Sequence, residues 1–138
     1  MIQSKQEYKY YLKMDLTQSD IINKKWYEKK IDRRYKFYKS LRYTEYCYNC
    51  NTLKNKIIRK FVMLRHRRLC DKYCWTIPIN VFGPGLTIVH VGTIVVSGSA
   101  KVGKNCRIHV CTNIGRAPSH GKSGAPIIGD NVYIGPRS

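Results

Sequence analysis

Four histidines and six cysteines are the side chains of this chain best suited to chemistry near neutral pH. A neutral imidazole can take a proton from a hydroxyl, and a thiolate can bind a metal or attack an electrophile. Cys47 and Cys50 form a CxxC, and Cys70 and Cys74 a CxxxC. Four such thiolates could hold a structural zinc, but zinc knuckles usually carry Gly or Pro, and these pairs sit in helix-like sequence. They read as buried or incidental thiols, and no metal is expected. His66, in LRHRRL, belongs to a basic helix face, and His120 stands in a loop. His109 follows the apolar position Ile108 and is expected to point outward. His90, in HVGTIVV, has two open readings. Counting back in sixes from Val102 through Val96 makes it an inward position, where a core histidine bonded to a carbonyl is the alternative to a catalytic base. Gly83, Pro84, Gly85 and Gly92 make strict counting unsafe at that point.

The elements that must position these groups fall into two composition regimes. The net charge is +18, and it is unevenly placed: residues 1–75 hold 20 Lys or Arg against 7 Asp or Glu, residues 76–138 only 6 against 1. Ten of the 11 tyrosines also lie in the first part. A basic, tyrosine-rich segment can serve nucleic acid or an anionic membrane surface, since cations neutralise phosphates and rings stack or anchor. The alternative is a solvated helical face whose tyrosines pack. The charge is scattered and no RNA- or DNA-binding motif stands out, so nucleic acid is not the expected partner. No run of about 18 apolar residues could span a bilayer. The opening MIQSKQEYKYYLKMD lacks the apolar centre of a signal peptide, so a cytoplasmic location with reduced thiols is expected.

Residues 1–75 read as helices. Ser4 to Met14 is a short candidate, and Ser19-Asp20 offers a cap for a second, from Ile21 to about Tyr43. Asn49 to Thr52 marks a break, with Thr52 as the next cap. Leu53, Ile57, Phe61, Leu64 and Leu69 then form an apolar stripe flanked by basic residues, read as a packing face.

Beyond Trp75 the pattern changes. Pro78, Gly83, Pro84 and Gly85 exclude a long helix. Val96, Val102, Ile108 and Ile114 recur every six residues, and Ile128 and Ile134 resume that spacing after an insertion over 116–124. Gly103, Gly115, Gly129 and Gly135 each follow such a position. A six-residue period suits neither a helix nor an ordinary strand. It suits a solenoid that points one apolar side chain inward per face and turns at each corner.

On these residues the stretch from Ile77 to Gly115, with GKSGAPIIGDNVYIGP, resembles the hexapeptide-repeat acyltransferases, within them the serine O-acetyltransferases and their relatives in surface-polysaccharide clusters. The resemblance implies a mainly β fold, a left-handed parallel β-helix over 76–138 behind a helical N-terminal region at 1–75. It also implies an enzyme that moves an acetyl group from acetyl-CoA to a hydroxyl of L-serine or a sugar, working as a homotrimer with active sites between copies. His90 takes the place of the family's catalytic base in its His-x-x-x-Ile-Val-Val segment. YLKMD places Asp15 as an acid of the acceptor site, with Gly92 beside it. Asn113, Gly115, Arg116, Lys122, Tyr133 and Gly135 would lie along the CoA moiety.

Two departures bear on the acceptor. The family often has an Asp directly before this histidine, where Val89 stands here, and serine acetyltransferases carry an Arg-His-Pro segment where GKSG runs into Ala125-Pro126. Less is left to hold an amino-acid carboxylate, which favours a sugar hydroxyl. Family members continue for further coils beyond IGPRS, so the β-helix is expected to be truncated at its C-terminus. The alternatives are an inactive truncated scaffold whose helices mediate contacts, and, behind it, a basic nucleic-acid-binding protein.

Overall fold

The computed structural model describes residues 1–119 and 122–138, and the side chains outside positions 118–123. Four helices come first. Ser4 caps α1 (Lys5–Gln18), its hydroxyl accepting the Glu7 N–H at 3.1 Å. The single helix expected from Ile21 to Tyr43 is instead a loop, a short α2 (Trp26–Ile31) and α3 (Arg33–Asn49). Asp32 causes the division. Its backbone is extended, and its carboxylate caps α3 by accepting the N–H groups of Arg34 and Tyr35 while pairing with Lys24 at 2.7 Å. An aspartate with a local capping job leaves the helix path, because its carboxylate satisfies backbone donors that would otherwise be orphaned. Thr52 caps α4 (Leu53–Tyr73), as its residue type predicts.

Ten strands follow among the described residues, each of two or three residues: β1 (Trp75–Thr76), β2 (Thr87–Ile88), β3 (Ile94–Val96), β4 (Lys101–Val102), β5 (Arg107–Ile108), β6 (Thr112–Ile114), β7 (Ala117–Ser119), β8 (Lys122–Gly124), β9 (Ile127–Ile128) and β10 (Tyr133–Ile134). Three small parallel sheets form, β1-β3-β6, β2-β5-β10 and β4-β9, and β7 pairs antiparallel with β8. This corrects the expected fold. Helix covers more than twice as many of the described residues as strand, and the short strand pairs do not make a solenoid β-helix, so the protein is not mainly β. The reason lies in the core. Val96, Val102, Ile108 and Ile114 are buried, but they share one cluster with Ile21, Phe37, Tyr38 and Leu41 from the helical part. Short strands cannot bury their apolar residues alone, and here helices supply the other wall.

Within the apolar stripe of α4, Leu69 packs against the core, and the other four positions are corrected. Leu53, Ile57 and Phe61 are 78%, 73% and 68% exposed, and Leu64 is exposed as well. The helix buries the opposite side, Asn55, Val62, His66 and Tyr73. There His66 packs on Phe37 at 5.4 Å, and Phe37 meets Trp75 edge-on at 5.1 Å.

Polar groups tie the two layers together. The buried Tyr38 hydroxyl accepts the Ile88 N–H at 2.8 Å and bonds Ser19 Oγ at 3.0 Å, and burial pushes its phenol up to about 12. Arg42, fully buried, uses all five of its N–H donors. Nε and one Nη2 hydrogen reach the two oxygens of Asp15 at 2.7 and 3.1 Å; the other Nη2 hydrogen reaches the Gly83 carbonyl at 2.7 Å. Nη1 donates to Glu45 at 3.0 Å and to the Phe82 carbonyl at 2.9 Å. Burial works against the guanidinium charge, yet Asp15 and Glu45 outweigh it and hold Arg42 above its ordinary range.

His66 gives this seam a pH dependence. Its Nε2 lies 3.3 Å from the Ile77 carbonyl, which can only accept, so Nε2 carries the hydrogen. Nδ1 is then a bare buried nitrogen with no partner among the described residues. Burial lowers the pKa of this imidazole. The unfolded chain therefore binds the proton first. Stability is complete above about pH 6.5 and falls as the pH drops below it, by up to about 1.4 kcal/mol per unit, until the folded-state pKa is passed. In urea unfolding between pH 7.5 and 5.5, the wild-type midpoint should fall while that of His66→Gln stays more nearly level; parallel curves would refute this origin.

Candidate functional site

The β2-β5-β10 sheet brings three aromatic side chains into a row. Thr87, Arg107 and Tyr133 are register partners, as are Ile88, Ile108 and Ile134. Ile88 and Ile108, both buried, and the partly buried Ile134 hold the row from within. His90 is exposed, on a bend two residues past β2. Its ring meets His109 edge-on at a centroid distance of 5.7 Å, and His109 meets Tyr133 at 5.1 Å. His109 is half-buried, and its Nε2 is enclosed with no hydrogen-bond partner among the described residues. The outward His109 expected from the six-residue count is thus only partly exposed. Arg107 and Tyr133 are exposed on the same sheet.

Gly92 shapes the bend. Its φ is +155°, and a Cβ there would collide with Val110 Cγ2. Only glycine lets the chain pass this close to Val110 immediately after His90.

The other expected site residues divide. Tyr133 joins the row, and Gly135 follows it, its carbonyl accepting the Ser138 hydroxyl at 2.9 Å. Asn113, exposed on β6, is tied to the same segment by its N–H, which donates to the Ser138 carbonyl at 2.8 Å. Gly115 lies beside Asn113, and Arg116 is exposed next to it. His120 and the side chain of Lys122 lie outside the described residues. Asp15 is corrected. It is 0% exposed, its oxygens taken by Arg42 and by the N–H groups of Gly85 and Leu86, both at 2.9 Å. A carboxylate enclosed and engaged in this way offers no oxygen to an acceptor. It positions the segment that leads to His90.

Sequence reasoning missed Arg107 and the place of His109. The only signal was their distance in sequence from Thr87 and His90, close to the offset at which β2 and β5 pair.

The thiols are placed without a shared centre. Cys47 and Cys106 are buried, Cys50 and Cys70 half-buried, Cys74 and Cys111 exposed, and burial pushes the Cys106 thiol up to about 11. Among the described residues no three His, Cys, Asp or Glu side chains converge as metal ligands. No helix of the described residues is long and apolar enough to cross a membrane. Open-sided recesses lie elsewhere, among them one of about 340 Å³ between Tyr11, Glu45, Phe82 and Lys101, and a groove of about 650 Å³ between α4 and residues 76–79. Neither includes His90, whose surroundings are open surface.

Comparison with known proteins adds no neighbour: no family model, no curated protein and no solved structure matches the chain.

Proposed function

We propose that the chain is an O-acyltransferase that moves an acetyl group from acetyl-CoA to a hydroxyl, with His90 as the general base. The observation that carries the reading is an accessible imidazole at a glycine-creased bend, buttressed by a second histidine. The resemblance of HVGTIVV to the acyltransferase segment supports the same assignment.

Acetyl-CoA supplies an already activated acyl group, so the protein need only make the hydroxyl a better nucleophile. His90 takes the hydroxyl proton as the oxygen bonds to the acyl carbon, and returns it to the departing sulfur as the carbon–sulfur bond breaks. No hydrogen bond among the described residues fixes the His90 ring, so the edge of His109 is its main orienting contact. Arg107 and Arg116, both exposed, suit the phosphates of CoA. The openness around His90 fits the expectation that a homotrimer completes the site, with a neighbouring copy as the missing wall. GKSG runs into Ala125-Pro126 without the Arg-His-Pro segment of the serine acetyltransferases, so less is present to hold an amino-acid carboxylate, and a sugar hydroxyl is the favoured acceptor.

The test is thiol release from acetyl-CoA by the purified chain against L-serine and a panel of sugars. Acceptor-dependent release supports the proposal, with a sugar expected to exceed L-serine. No release above the uncatalysed rate with any acceptor overturns it.

A further inference from the structure

The outward side of α4 has no part in the fold or in the site described above. Leu53, Ile57, Phe61 and Leu64 recur at spacings of three and four and so form one ridge along the helix. Three of these four are at least two-thirds exposed. An aliphatic and aromatic ridge this exposed costs free energy in water and marks a surface that is covered in use.

Its flanks identify the cover. The helix carries eight Lys or Arg against Asp71 alone. At 100° per residue, Lys56, Lys60 and Arg67 run along one side of the ridge, and Lys54, Arg65 and Lys72 along the other. None of the four ion pairs among the described residues engages them. A second copy would bring two such helices together and set like charges side by side, which disfavours self-association. A nucleic acid would satisfy the cations but leave Leu53, Ile57 and Phe61 against phosphates and water. An anionic membrane surface satisfies both: headgroups meet the basic flanks while the ridge enters the boundary with the acyl chains.

We propose that α4 is an interfacial membrane-binding helix that lies flat on bilayers containing anionic lipid. The chain docks through the Leu53–Ile57–Phe61–Leu64 ridge and is held by the lysines and arginines beside it. This leaves the opposite face of α4 in contact with α3 and β1, as the fold requires.

Flotation of the full chain with phosphatidylcholine vesicles, with and without phosphatidylserine, tests this. Binding is expected only when phosphatidylserine is present, and it should weaken as salt is raised. Ile57→Ser/Phe61→Ser should weaken it at least about tenfold, with an unchanged far-UV circular dichroism spectrum because both side chains are exposed in the fold. Failure to bind phosphatidylserine vesicles overturns the proposal. So does equal binding by the ridge variant, which would mean that charge acts alone. A dimer in light scattering that the ridge variant dissolves would assign the ridge to a second copy instead. Retention on duplex DNA at salt that strips the chain from vesicles would assign the basic surface to nucleic acid.

Discussion

Arg42→Met is expected to lower the stability of the chain by about 3–5 kcal/mol, the range for removing one partner of a buried ion pair. Methionine fills much of the space, but it leaves the buried carboxylates of Asp15 and Glu45 without their cation. The carbonyls of Phe82 and Gly83 also lose their donors. Asp15 keeps the N–H groups of Gly85 and Leu86, and Glu45 keeps that of Asn80, so part of each acceptor remains satisfied. Arg42→Lys should recover little, because one ammonium with three donors cannot serve five acceptors that converge from α1, α3 and the loop before β2. A combined Arg42→Met/Asp15→Leu/Glu45→Met variant should recover more, since it removes the unpaired charges together with their partner. Urea unfolding followed by far-UV circular dichroism gives the ordering directly. A loss below about 1 kcal/mol for Arg42→Met would mean that water reaches the network and apolar packing alone holds the layers together.

The same network shows where reading the sequence stops. Thr52 was legible as a cap because capping depends on one side chain and a donor three residues away. Asp32 was not, since an aspartate inside a helical pattern looks like any solvated position until its carboxylate is seen turned onto the next turn's N–H groups. The Asp15–Arg42 pair joins residues 27 apart and completes itself with carbonyls about 40 residues further on, which no local pattern encodes.

Hydrophobic patterning had a related limit. The stripe on α4 was visible, but a pattern shows which side of a helix is apolar and not which side is covered. The side that packs holds Asn55 and His66, whose polar atoms find the carbonyls of Cys50 and Ile77. The six-residue spacing marked Val96, Val102, Ile108 and Ile114, all buried, yet it did not reveal how much of their core Phe37, Tyr38 and Leu41 would supply. That contribution separates a helix-rich fold with small sheets from the mainly β architecture that the resemblance implied.

His90→Ala is expected to reduce thiol release from acetyl-CoA by about 10²–10⁴-fold, the usual range for a positioned proton acceptor. The exposed side chain makes no hydrogen bond among the described residues, so unfolding midpoints should move by no more than about 0.5 kcal/mol. The harder question is which histidine is the base, since His109 stands 5.7 Å away with an unpartnered Nε2. If His109 positions His90, an edge contact of this kind is worth about 0.5–1.5 kcal/mol, and His109→Ala should cost about tenfold or less. His109→Phe should then restore most of the loss, because a phenyl ring keeps the contact with both His90 and Tyr133 and supplies no proton acceptor. If His109 is itself the base, His109→Phe will be as inactive as His109→Ala, and His90→Ala will retain most of its activity. An imidazole that only orients its neighbour can be replaced by shape, whereas one that carries the proton cannot, and the phenylalanine variant separates the two roles.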